Sequence, residues 1–155
     1  MSPKTPPPAL DDISKRIVEL LQEDGRRPYA EIAREVGLSE AAARQRVQRL
    51  TESGLIQIVA VTDPLQLGFH RMSMIGIRVS GDPRAIAEEL TAIPELAYVV
   101  VTLGTFDILV EAVCEDDDHL LALVNDRIRP IPGVVSTETF IYAKLQKQQF
   151  AWGTR

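Results

Sequence analysis

Apolar residues recur at helical spacing through the first fifty positions of the chain. Ile13, Ile17, Leu20 and Leu21 lie on one face of a 3.6-residue period, and Asp11 or Asp12 stands where a helix cap belongs. Gly25 closes that helix. Beyond Pro28, a residue suited to a helix's first turn, Tyr29, Ile32, Ala33 and Val36 predict a second helix of about two turns, stopped by Gly37 in a left-handed conformation. A third helix follows at once. Ser39 is its cap, Glu40 complements the helix dipole, and Ala43, Val47 and Leu50 form a narrow inward face. Gly54 ends it, and Ile56, Ile58 and the run Val59-Ala60-Val61 predict a strand closed by Asp63-Pro64, serving as a wing or as a tether leading away.

The pattern then changes. Met72 to Val79 reads as a strand, Asp82-Pro83 as a cap with proline at the first helical position, and Ile86, Ala87, Leu90 and Ile93 as a helical face. Leu96 to Leu103 and Phe106 to Cys114 predict a hairpin around Gly104-Thr105. Asp116 to Asp118 open a helix through Leu120, Leu121, Val124 and Ile128, and Val134 to Ala143 supply a last strand. The order βαββαβ is ferredoxin-like. Ile-Pro before a strand occurs twice, at Ile93-Pro94 and Ile131-Pro132, an internal echo of the same unit. The expected class is α+β: a disordered lead-in over 1–9, a winged helix-turn-helix over 10–62, a linker over 63–71, a ferredoxin-like domain over 72–146 and a tail over 147–155. A sheet with helices on one face leaves apolar strands such as Leu96 to Leu103 bare on the other, which a second copy would cover.

Charge sharpens this division. The chain of 155 residues carries a net charge of −5, but residues 1–62 hold nine Lys/Arg against nine Asp/Glu, while residues 63–155 hold eight against thirteen. The acidic total argues against an unspecific polyanion binder. Within the neutral half, Val36 to Leu50 contains Arg44, Arg46 and Arg49 but one acid, Glu40. The third helix therefore has an outer face of Ala41, Arg44, Gln45, Gln48 and Arg49, where a small residue permits close approach and long donors reach phosphates or purine edges in a major groove. With the Gly37-Leu38-Ser39 turn and the short helix before it, this predicts a helix-turn-helix that binds double-stranded DNA through Ser39, Ala41, Arg44, Gln45, Arg46, Gln48 and Arg49. Arg46 has an alternative: it lies three residues after inward-facing Ala43, where an acid of the first helix could hold it.

Little else points to chemistry. The start, Met1 to Leu10, has a lysine but no apolar run, so a cytoplasmic protein with neither leader nor membrane span is expected. Cys114 follows Ala112-Val113 and reads as a buried thiol. His70 and His119 have no zinc-ligand spacing, and the acids of Glu115 to Asp118 are accounted for by a helix start. No catalytic or metal residues and no cofactor are expected. In Leu103 to Asp107, Gly104 can supply a turn and Asp107 can bond a backbone amide; the same residues can equally bind a ligand.

The stretch Asp24 to Gln57, with Asp63 to Gly68, Leu103 to Ala112 and Ile131 to Tyr142, resembles the Lrp/AsnC, or feast/famine, family of transcription regulators from about Leu10 to Lys144. The chain departs from the family pattern at Ser14, Pro28, Ala43 and Leu103, where relatives usually carry Asp, Ser or Thr, Val, and often Thr. The resemblance implies a domain that dimerises through its sheet, with dimers often assembling into octamers. It also implies a pocket for a small-molecule effector, an amino acid, lined by Leu103, Gly104, Thr105, Phe106 and Asp107 and by Ser136, Thr137 and Thr139 from the last strand of a neighbouring subunit. The siroheme decarboxylases, of similar architecture, offer an enzymatic alternative, and a co-assembling subunit that does not bind DNA offers another; the basic third helix favours the regulator over both.

Overall fold

The computed structural model describes residues 10–148 together with Gly153 and Thr154. The lead-in expected over 1–9 lies outside the described residues. The chain divides into two units: one runs to Ala60 and takes in the stretch from Lys147 onward, and the other is Val61–Gln146.

The first unit is built from α1 (Asp12–Glu23), α2 (Tyr29–Val36) and α3 (Glu40–Glu52). Asp11 caps α1 by accepting from the Ser14 N–H, Gly37 ends α2 with φ +70°, and Ser39 caps α3. Pro28 precedes α2 without a side-chain cap bond, since proline has no side-chain acceptor. The faces expected to be apolar meet: Ile17, Leu20, Ile32, Ala33, Ala43, Val47 and Leu50 form one buried cluster. The strand expected over Ile56–Val61 is not formed, so the wing is a correction. A strand exists only with a partner ladder, and no described residues of this unit form one. The tether reading accounts for the segment, with Ile58, Val59 and Val61 exposed. Gly153 and Thr154 bond to this unit: the Gly153 N–H donates to Gln22 Oε1 (3.0 Å) and the Thr154 hydroxyl to Glu19 Oε1 (2.6 Å).

The second unit follows the expected βαββαβ order: β1 (Arg71–Val79), α4 (Pro83–Thr91), β2 (Leu96–Val101), β3 (Ile108–Cys114), α5 (Asp117–Ala122) and β4 (Val134–Ile141), with the sheet ordered β2-β3-β1-β4 and every pair antiparallel. Ile75, Ile77, Ile108, Val110, Ala112 and Cys114 face the helices and are buried with Leu90 and Leu120. Strand alternation puts Met74, Leu109, Val100 and Phe140 on the opposite face, which no helix of the unit covers. The last helix corrects one expectation. After Ala122 it continues as a π-helical turn over Leu123–Ile128; Leu123 is buried with Leu120, Val124 and Ile128, whereas Leu121 is 60% exposed. The hairpin is also looser than expected. β2 stops at Val101 and β3 starts at Ile108, because residues 102–107 form a loop closed by Thr102 N–H to Asp107 C=O (2.8 Å) and Thr102 hydroxyl to Phe106 C=O (2.6 Å).

Candidate nucleic-acid interface and effector loop

Burial of Ala43, Val47 and Leu50 fixes which way α3 faces, so Ala41, Arg44, Gln45, Gln48 and Arg49 are all exposed. Two of the donors are already steered. Arg44 Nη2 bonds Glu40 Oε1 at 3.3 Å, and its guanidinium lies 4.9 Å from the centre of the Tyr29 ring; Gln48 Nε2 donates to Glu52 Oε1 at 2.8 Å. By spacing alone Tyr29 is an apolar position of α2. It is half-buried, and its ring reaches across from α2 to Arg44 on α3. Ser39 uses its Oγ to accept the Ala42 N–H (3.2 Å), which sets the start of the helix.

Of the two readings of Arg46, the intramolecular one is realised. Its Nη1 lies 2.6 Å from Asp11 Oδ2 and 3.0 Å from Ser14 Oγ, so this guanidinium is engaged inside the unit and is removed from the set facing outward. Ser14 brings a neutral hydroxyl, and Asp11 brings the charge. Hydrogen bonds from Ser14, then the Arg46 guanidinium, hold the Asp11 carboxyl down to about 2. A carboxyl depressed in the folded state adds stability above its ordinary range and loses it as pH falls toward the folded value. Acid unfolding followed by circular dichroism should therefore show Asp11→Asn, which keeps a competent cap, flattening the pH dependence between the ordinary carboxylate range and about 2. An unchanged profile would contradict this coupling.

In the second unit, Leu103 projects fully into solvent and Gly104 has φ +157°. Phe106 folds back over the uncovered sheet face. Its ring lies where a Cβ on Gly76 would stand, 2.6 Å from that position, and meets Phe140 edge-on with centroids 6.1 Å apart. Asp107 Oδ2 accepts the Val79 N–H at 2.8 Å, and its own N–H donates to Ile77 C=O. The backbone-bonding role weighed for Asp107 is thus realised at one oxygen. Ser136 pairs with Arg78 across β4 and β1, while Thr137 accepts from Arg129 Nε (3.1 Å) and Thr139 pairs with Ile75. One residue that sequence reasoning missed touches the loop half of this candidate site. Arg78 Nε donates to Thr105 C=O at 3.1 Å, and its guanidinium lies 5.5 Å from the centre of the Phe106 ring.

The remaining candidates have ordinary explanations. Asp116 caps α5 by accepting the His119 N–H, and Asp117 pairs with Arg71. His119 sits 3.5 Å from Glu95, His70 is exposed, and burial pushes the Cys114 thiol upward. Among the described residues no helix is long and apolar enough to cross a membrane.

A three-helix unit with a basic, donor-rich outer helix, followed by a ferredoxin-like sheet, defines a class: helix-turn-helix regulators carrying a C-terminal α+β domain. Family models match both parts, an AsnC-type helix-turn-helix domain over residues 10–51 and a C-terminal dimeric alpha+beta barrel domain over residues 74–155. The chain belongs to the Lrp/AsnC family of transcriptional regulators. It is 37% identical over 141 residues to the HTH-type transcriptional regulator FL11 of Pyrococcus furiosus, covering 90% of this chain and 93% of that one. The structure of Escherichia coli AsnC matches with a TM-score of 0.79 at 26% identity, covering 91% of this chain and 97% of that one. A transcriptional regulator of Neisseria meningitidis, solved in complex with L-Met, shares the fold with a TM-score of 0.80 at 23% identity, covering 92% of this chain and 95% of that one.

Proposed function

We propose that this chain is a sequence-specific regulator that grips a major groove with the outer face of α3, works as an assembly of at least two copies, and responds to an amino acid. The observation that carries the reading is the exposed set Arg44, Gln45, Gln48 and Arg49 on a helix whose other face is anchored in a core. Ala41 and the hydroxyl of Ser39 stand at the end of α3 that would enter the groove first. Selection from a random pool of duplexes tests it. The full chain should enrich a two-fold-related site and lose affinity as salt rises; recovery of an unenriched pool would overturn the reading.

Twofold symmetry suits both the palindromic site and the uncovered sheet face with Met74, Val100, Leu109 and Phe140. Light scattering at micromolar concentration should report a dimer or larger species, and a monomer would contradict this.

The effector reading draws on the loop Leu103, Gly104, Thr105, Phe106 and Asp107, on Ser136 of β4, which shares the sheet face of Arg78 and Phe106 while Thr137 and Thr139 lie opposite Ile77 and Ile75 on the helix-side face, and on the L-Met complex of a protein with the same fold. Asp107 has one oxygen on a backbone amide and a second that can accept from an α-ammonium group. Asp107→Asn keeps an acceptor for Val79 and removes the charge. Calorimetry should show weakened amino-acid binding with DNA affinity retained; equal binding by both proteins would leave Asp107 a turn residue.

A further inference from the structure

We infer that Arg78 is the carboxylate-binding group of the effector site and restricts that site to ligands with a free α-carboxylate. The inference rests on the effector reading above and adds a residue that none of the motifs contains. Arg78 is exposed near the end of β1, beside the register shift between Arg78 and Val79. Alternation along β1 places it on the same sheet face as Gly76, the face that Phe106 covers.

Two contacts and its register hold Arg78 in place. Nε is committed to Thr105 C=O, the guanidinium rests against the Phe106 ring, and Ser136 stands directly across the strand pair. The side chain is therefore held by the loop on one side and neighbours a β4 hydroxyl on the other. Its charge, by contrast, is unanswered: among the described residues Arg78 has no salt-bridge partner. A guanidinium has five N–H donors, and with Nε occupied the two terminal nitrogens still present a fork that matches a carboxylate.

The nearest acid along the loop does not neutralise it. Asp107 turns its Oδ2 to the Val79 amide instead, although Val79 is the residue next to Arg78. One short rim thus carries a fixed positive group and a fixed negative group that leave each other unpaired. The complement of that pattern is a zwitterion, with its ammonium toward Asp107 and its carboxylate toward Arg78. A small amine or an amino-acid amide satisfies only half of it.

The test uses the full chain. A thermal-shift screen of the twenty amino acids selects the strongest ligand, and calorimetry then compares that acid with its own α-carboxamide. Wild type should prefer the acid by about tenfold or more, as a charge-assisted pair does over a neutral one. Arg78→Gln should bring the two ligands to nearly equal affinity by weakening the acid alone, and Arg78→Lys, which keeps the charge without the fork, should retain part of the preference. If Arg78 only props the loop, Arg78→Gln weakens acid and amide together and their ratio stays at the wild-type value, which overturns the assignment. Should Arg78→Gln fail to fold, an unchanged ratio in Arg78→Lys overturns it equally. Absence of binding by any amino acid to wild type is a different failure: it removes the effector reading itself, and this inference with it.

Discussion

Alanine at Arg44 or Arg49 is expected to cost about 1–3 kcal/mol of DNA affinity where the side chain reads a base, and to lower the salt slope by about one where it neutralises a phosphate. The double variant should lose most specific binding, because both side chains rise from the same outward face while the core beneath them is untouched. Glu40 does not protect Arg44 from this role. An exposed pair one helical turn apart is worth only about 0.3–0.5 kcal/mol, less than a phosphate offers. Tyr29 adds an internal control. If its ring sets the path of Arg44, then Tyr29→Leu should weaken binding by about two- to fivefold in the wild-type background and have almost no effect once Arg44 is alanine. Fluorescence anisotropy at two salt concentrations reads all of these. Unchanged binding by the folded double variant would sink the assignment of α3 as the reading helix.

Gly76→Ala should lower the stability of the second unit by about 1–3 kcal/mol, the usual cost of forcing extra volume into a packed site. The added Cβ would stand 2.6–2.7 Å from three atoms of the Phe106 ring, near its stem, so the whole ring has to leave the sheet. With it go the edge contact to Phe140 and the surface on which Arg78 rests. Phe106→Ala in the same chain should relieve the clash, making the pair strongly non-additive in denaturant unfolding. Simple additivity would mean that the ring and Gly76 do not share that space in solution.

Much of this was legible before any coordinates. Ala43, Val47 and Leu50 announce an inward face by spacing alone, and from it the exposure of Arg44 and Arg49 follows. Gly37 and Ser39 mark their own turn because caps are local chemistry. What escaped was set by partners distant in sequence. The choice between the two readings of Arg46 turned on Asp11, 35 positions away, and the strand expected at Ile56–Val61 lacked the one thing a sequence window does not contain, a neighbour to pair with. Leu121 and Leu123 both fit beside Leu120 in a helical pattern, and packing on the sheet rather than spacing selects Leu123 for the core. Arg78 belongs to no motif: a lone arginine in a strand acquires meaning only when the hairpin loop folds over it.

The two buried clusters have no member in common, one built from Ile17, Leu20, Ile32 and their neighbours and the other from Ile75, Ile77, Ile108 and theirs. Mutational pressure is therefore partitioned. A change that refits one core need not be matched by a change in the other, so the helix-turn-helix unit can drift toward a new operator while the sheet unit stays as it is, and the reverse. Two such halves are free to evolve at different rates within one gene.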